Sequence, residues 1–114
     1  ESRPEVDIME VLGHRTDVAH FNVHTGPFDV GTSWASGQDL SAGWHTFALD
    51  WQASQLSWLV DGVVRFQTTD ATLIPQQPEY LLVNLAVGGS WPGAPDATTP
   101  FPAKLLVDWI RVWA

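Results

Sequence analysis

Apolar and polar side chains alternate along much of the chain with the period of a β-strand, not of a helix. In Val18-Ala19-His20-Phe21-Asn22-Val23-His24-Thr25, that alternation puts Ala19, Phe21 and Val23 on one face and His20, Asn22 and His24 on the other. The run predicts a strand that forms a hairpin with residues 5–10, joined by a polar loop that starts at Gly13. Three further runs, Trp44 to Trp51, Gln55 to Val60 and Val63 to Thr68, predict a meander. Its second turn is Asp61-Gly62, a pair suited to a type I′ turn because both central residues there need φ > 0. Tyr80 to Val87 is apolar except for Asn84, as a strand covered on both faces would be, and Lys104 to Trp113 reads as a closing strand. Between these runs, residues 26–43 predict a long loop with a short extended piece around Trp34, which reads as a loop anchor in preference to an aromatic platform at the rim of a cleft. Residues 69–78 predict a linker and 94–103 a Pro-rich loop. About seven antiparallel strands and no helix make an all-β fold.

One run breaks the alternation. Glu5-Val6-Asp7-Ile8-Met9-Glu10 sets three carboxylates in an otherwise apolar stretch. Glu5 and Asp7 share a face, and Glu10 has the wrong parity to join them. One extra residue, a β-bulge at Ile8-Met9, would bring Glu10 back to their side, and bulges are common beside active sites. Like charges held together repel, and each carboxyl's pKa then depends on its neighbours. Glycoside hydrolysis with retention calls for such an arrangement: one carboxylate as nucleophile and a second as proton donor, about 5–5.5 Å apart. A middle acid that holds a proton for part of the cycle would hydrogen-bond the nucleophile. The spacing alone fits equally an edge strand that turns alternate charges to solvent.

Composition narrows the partners. Thirteen acidic against five basic residues give a net charge of −8, which disfavours nucleic acid and anionic membrane and is compatible with a neutral polysaccharide. Seven Trp exceed what so short a chain needs for its core, and aromatic faces suit sugar rings. The absence of Cys excludes a disulfide framework and thiol chemistry. No apolar run approaches the length of a membrane span.

Glu-Val-Asp-Ile-Met-Glu resembles the Glu-x-Asp-x-x-Glu signature of glycoside hydrolase family 16, in its bulged, laminarinase-like form. The Asn84-Leu-Ala-Val-Gly-Gly-Ser-Trp91-Pro-Gly segment and the closing Leu-Val-Asp108-Trp-Ile-Arg-Val-Trp run resemble further family motifs. The resemblance implies a concanavalin A-like jelly-roll sandwich in which residues 1–114 form the C-terminal part of a single catalytic domain whose N-terminal strands are missing. It assigns Glu5 as nucleophile, Asp7 as its assistant and Glu10 as acid/base. It puts Asn22, His24, Asn84 and Trp91 in the sugar-binding shell, with His24 beside Glu10. His45 falls on the outer sheet as a structural residue, and Trp51 and Trp58 fall in the core.

The expected activity is endo-hydrolysis of a β-glucan, most simply a β-1,3-glucan, outside the cytoplasm (secreted or periplasmic). No cofactor is expected; the resemblance allows a structural calcium ion near Asp108 in the complete module, and no metal is expected at the acidic trio. Two alternatives remain at this stage: a concanavalin-like carbohydrate-binding module without turnover, and a fragment inactive by itself.

Overall fold

A computed structural model describes residues 4–113, which fall into two compact units, one running to Glu79 and the other starting at Tyr80. In the first unit, β1 (Glu5–Glu10), β2 (Val18–His24) and β3 (Asp29–Ala35) form one antiparallel sheet in that order. β4 (Phe47–Gln52), β5 (Gln55–Val60) and β6 (Val63–Thr68) form a second. The sheets face each other across a core in which Ala19, Phe21 and Val23 of β2 meet Leu56, Trp58 and Val60 of β5. Period-two alternation accounts for this: each central strand turns one set of side chains inward and the other outward. The Trp58 ring lies 6.5 Å from Phe21 and 5.1 Å from Phe66, centroid to centroid. Leu73 and Ile74, within the expected linker, are also buried in this core.

The second turn of the meander is tight, as predicted. Asp61 and Gly62 have φ of 52° and 77°, the left-handed pair that a type I′ turn demands. The Asp61 carboxylate accepts from the Thr46 backbone N–H at 2.9 Å and lies 2.8 Å from His45 Nδ1. It thereby captures residues expected to open the strand, so β4 begins at Phe47 and not at Trp44. His45 has the structural role expected of it.

The segment 26–43 departs from expectation. Its middle is a full strand, β3, paired with β2 along its whole length from His24↔Asp29 to Val18↔Ala35. The Gly, Thr and Ser of β3 obscured its alternation, because their small side chains carry little hydrophobic signal. Trp34 is an anchor, as expected, with the Arg65 guanidinium stacked 4.1 Å above its ring. A single 3₁₀ turn, Leu40–Ala42, follows where no helix was expected; Asp39 caps it and Leu40 buries its side chain. Trp51 is also corrected: it lies largely outside the core, its indole N–H donating to the Pro75 carbonyl oxygen at 3.1 Å.

In the second unit, the expected strands at 80–87 and 104–113 form no ladder among the described residues. Leu82, Leu106 and Val112 expose 75%, 65% and 79% of their surface. A continuous apolar run reports the cover a strand needs on its two faces; it does not supply that cover or a pairing partner. After Val87 the chain turns, with Gly88, Gly89 and Gly93 all at positive φ.

Candidate active site

β1 and β2 pair with Glu5 opposite His24, Val6 opposite Val23 and Asp7 opposite Asn22; the next match is Glu10 opposite His20. Three steps along β1 are thus met by two along β2. The extra residue falls at Ile8-Met9, where the bulge was predicted, and it resets the parity of Glu10. Glu10 accepts a hydrogen bond from Asn22 Nδ2, and Asp7 Oδ2 lies 3.1 Å from His24 Nε2. Both partners are on the polar face of β2, so Asp7 and Glu10 look to one side of the sheet.

The electrostatics of Asp7 show the third acid beside them. Burial pushes its carboxyl up to about 7, and the charges of Glu10 and Glu5 push in the same direction. A hydrogen bond to Glu5 adds to the rise, so neutral Asp7 is the donor, while His24 opposes it. Asp7 therefore keeps a proton at pH values where an ordinary aspartate has lost it, and presents it to Glu5.

His24 stands between two carboxylates, with Nδ1 2.9 Å from Asp29 Oδ1 and Nε2 3.1 Å from Asp7 Oδ2. Burial disfavours its cation, but the hydrogen bond to Asp29 and the charges of Asp7, Asp29 and Glu5 outweigh that, and its pKa is raised. The expectation that His24 sits beside Glu10 is corrected. In an antiparallel hairpin the last residues of the second strand return to the first residues of the first, so His24 faces Glu5 and Asn22 reaches Glu10.

Sequence reasoning missed three residues near the trio. Asp29 holds the far side of the His24 ring. Gly31 faces Asn22 across the β2–β3 ladder. Trp58, assigned to the core, sends its indole N–H to the Asp7 carbonyl oxygen at 3.0 Å. The first two lie in what was taken for a loop, and the third carries its polar atom inside an apolar cluster, where alternation gives no signal. At the Glu10 end, a hollow of about 390 Å³ is lined by His14, Arg15, His20 and Ser33 among others. Glu5, Asp7, Glu10, Asn22 and His24 all belong to the first unit, whereas Asn84 and Trp91 belong to the second, where both are exposed.

The fit to calcium is poor within these residues. Such an ion takes six to eight oxygen ligands, and among the described residues no group of three or more acidic or imidazole side chains could hold a metal. Asp108 alone does not make a site.

Two facing antiparallel sheets with an acidic trio brought together by a bulge define a β-sandwich of the glycoside hydrolase class. The family model for glycosyl hydrolases family 16 matches residues 1–111, and the chain belongs to that family. A beta-glucanase from Rhodothermus marinus is 32% identical over 96% of the chain and 44% of its own length. The structure of an endo-β-1,3-glucanase from Pyrococcus furiosus superposes with a TM-score of 0.73 at 35% identity, covering 85% of this chain and 42% of that one. The laminarinase catalytic domain of Thermotoga maritima gives 0.72 at 32% identity, covering 84% and 44%. The fold is therefore the family's jelly roll, represented in part. The chain spans about half the length of the relatives it matches.

Proposed function

We propose that the full-length protein is an endo-acting retaining glycoside hydrolase that cleaves β-1,3-glucosidic bonds of a glucan, and that residues 1–114 carry its catalytic acids within one module. The observation that carries this is the one-residue register shift that turns Glu10 to the side of Asp7, whose carboxyl is held near neutrality by burial and by its two acidic neighbours. The glucan-directed names of the relatives support the substrate class, and the laminarinase and endo-β-1,3-glucanase structures support the linkage.

In the proposed reaction Glu5 attacks the anomeric carbon while Glu10 gives its proton to the departing glycosidic oxygen, leaving a glycosyl ester on Glu5. Glu10, now a carboxylate, takes a proton from water as that water attacks the ester and releases the sugar with its original configuration. Neutral Asp7 donates to Glu5 between turnovers, so three negative charges are not held on one face at once. Asn22 fixes the Glu10 carboxyl. Asn22 and His24 are proposed as sugar-binding residues of the first unit, and Asn84 and Trp91, separately, as sugar-binding residues of the second. Carboxylates and water supply all the steps, with no cofactor in them. A polymeric glucan is reached outside the cytoplasm, which gives the proposed secreted or periplasmic location.

Reducing-sugar release from laminarin by the full-length protein tests the activity, and its absence would refute it. Glu5→Gln should abolish turnover and leave the fold intact. Proton NMR of the first-formed product should show the β-anomer; the α-anomer would exclude retention.

A further inference from the structure

Trp58 is fully buried, and a buried indole N–H needs an acceptor. Its acceptor is not in its own sheet. The N–H crosses the core to the Asp7 carbonyl oxygen, 3.0 Å away on β1. Asp7 is the last residue of β1 in regular register before the extra residue intervenes, so this bond grips the backbone where the bulge begins. Phe21 and Phe66 pack around the indole, which limits its freedom to follow a shifting strand.

A bulge disrupts the ladder locally, and its place along a strand is fixed by whatever neighbouring structure holds it. On the cleft side, Asn22 binds Glu10 and His24 binds Asp7, both through side chains. Neither bond grips the main chain. Trp58 does so, from the opposite sheet.

We infer that Trp58 is a positioning residue for the acidic trio: its indole N–H, bonded to the Asp7 carbonyl oxygen, holds the bulge that turns Glu10 to the side of Glu5 and Asp7. Trp58 touches no substrate and acts through the backbone of β1. The kinetic part of this inference rests on the glycosidase activity proposed above; the structural part does not.

The test compares Trp58→Phe, which keeps an aromatic ring and removes the N–H, with Phe66→Leu, which disturbs the packing around Trp58 and leaves the bond. Both are made in the full-length protein, and the Asp7 carboxyl is titrated by carbon NMR. Burial does most to raise its midpoint; the charged groups that face it are Glu5 and Glu10 on β1, which raise it further, and His24 on β2, which lowers it and is itself held by Asp29 on β3. In Trp58→Phe the bulge relaxes, Glu10 turns away, and the Asp7 midpoint falls by the part that the Glu10 charge contributes; in Phe66→Leu it stays. An unchanged midpoint in Trp58→Phe, or an equal fall in Phe66→Leu, overturns the inference. If Trp58→Phe does not fold, benzothienylalanine at position 58 removes the N–H from a bicyclic ring of the same shape, with the same two outcomes. On laminarin, kcat should fall by about tenfold or more with little change in KM, since small misplacements of reacting groups cost that much. An unmodified protein inert on glucans would sink the proposed activity, and the Asp7 titration would still decide the role of Trp58.

Discussion

The side-chain amide of Asn22 occupies the space in which any residue but glycine at position 31 would put its β-carbon. A Cβ built on Gly31 would fall 1.8 Å from Asn22 Oδ1 and 2.9 Å from its Cγ. Gly31 sits opposite Asn22 in the β2–β3 ladder, and its bare backbone lets the amide lie across β3 with Nδ2 aimed back at Glu10. Here glycine serves close approach and not an unusual backbone angle.

Gly31→Ala should therefore act on Glu10 from two strands away. With its seat filled, the Asn22 amide swings off and the acid loses a donor. Hydrogen bonds to charged groups contribute about 1.5–3 kcal/mol, which corresponds to roughly ten- to a hundredfold in rate. Asn22→Ala should lose a similar factor, and Gly31→Ala added to Asn22→Ala should lose little more. Additive losses in this double-mutant cycle on laminarin would separate the two residues.

The acidic trio should make stability depend on pH in a defined direction. Asp7 titrates near 7 in the fold against an ordinary 3.8, so between these values the folded state binds more protons than the unfolded one. Stability then falls as pH rises from about 4 to about 7. His24, also raised, contributes in the same sense above its ordinary value of 6.5. Urea unfolding across this range should show the decline, and Asp7→Asn should flatten its lower part.

Asp29 should govern His24 more than its distance from the trio suggests. Asp29→Asn removes the charge facing Nδ1, so the His24 pKa should fall, as read from its ring-proton shifts. With less cation at His24, Asp7 loses the one neighbour that lowers its pKa, and its midpoint should rise. A His24 titration unchanged by Asp29→Asn would contradict this.

Away from the trio, Asp61→Ala removes the acceptor of the Thr46 N–H and the partner of His45, and puts alanine at a φ of 52°. Aspartate already carries a β-carbon at this angle, so the backbone cost changes little, and water can take the exposed Thr46 N–H; what is lost is the net value of a hydrogen bond, about 1 kcal/mol. Denaturant unfolding should show a loss of about 1 kcal/mol, and Asp61→Gly should lose less, because glycine relieves the left-handed strain that aspartate and alanine share. Activity per folded molecule should stay near normal.

The features legible in the sequence are those that strand parity and turn chemistry control. The bulge at Ile8-Met9 followed from the odd spacing between Asp7 and Glu10, and the Asp61-Gly62 turn from its need for positive φ. The inward face of β2 followed from Ala19, Phe21 and Val23. β3 was missed because glycine, threonine and serine alternate without hydrophobic contrast, and Asp29 and Gly31 were missed with it. The exchange of places between Asn22 and His24 was recoverable, since a hairpin runs the order of its second strand backward against its first. The bond from Trp58 to Asp7 was not: it joins residues 51 positions apart through one atom of a side chain that reads as purely apolar.

The unladdered segments of the second unit also bear on how the protein can be handled. Tyr80 to Val87 is β-prone and carries no charged residue. An uncharged, β-prone apolar run that pairs with no strand is a template for strand addition between molecules. Preparations of residues 1–114 alone should therefore associate as their concentration rises, with residues 80–87 as the sticky segment. Leu82→Lys, which puts a charge on a side chain 75% exposed, should improve solubility at little cost to the rest of the molecule.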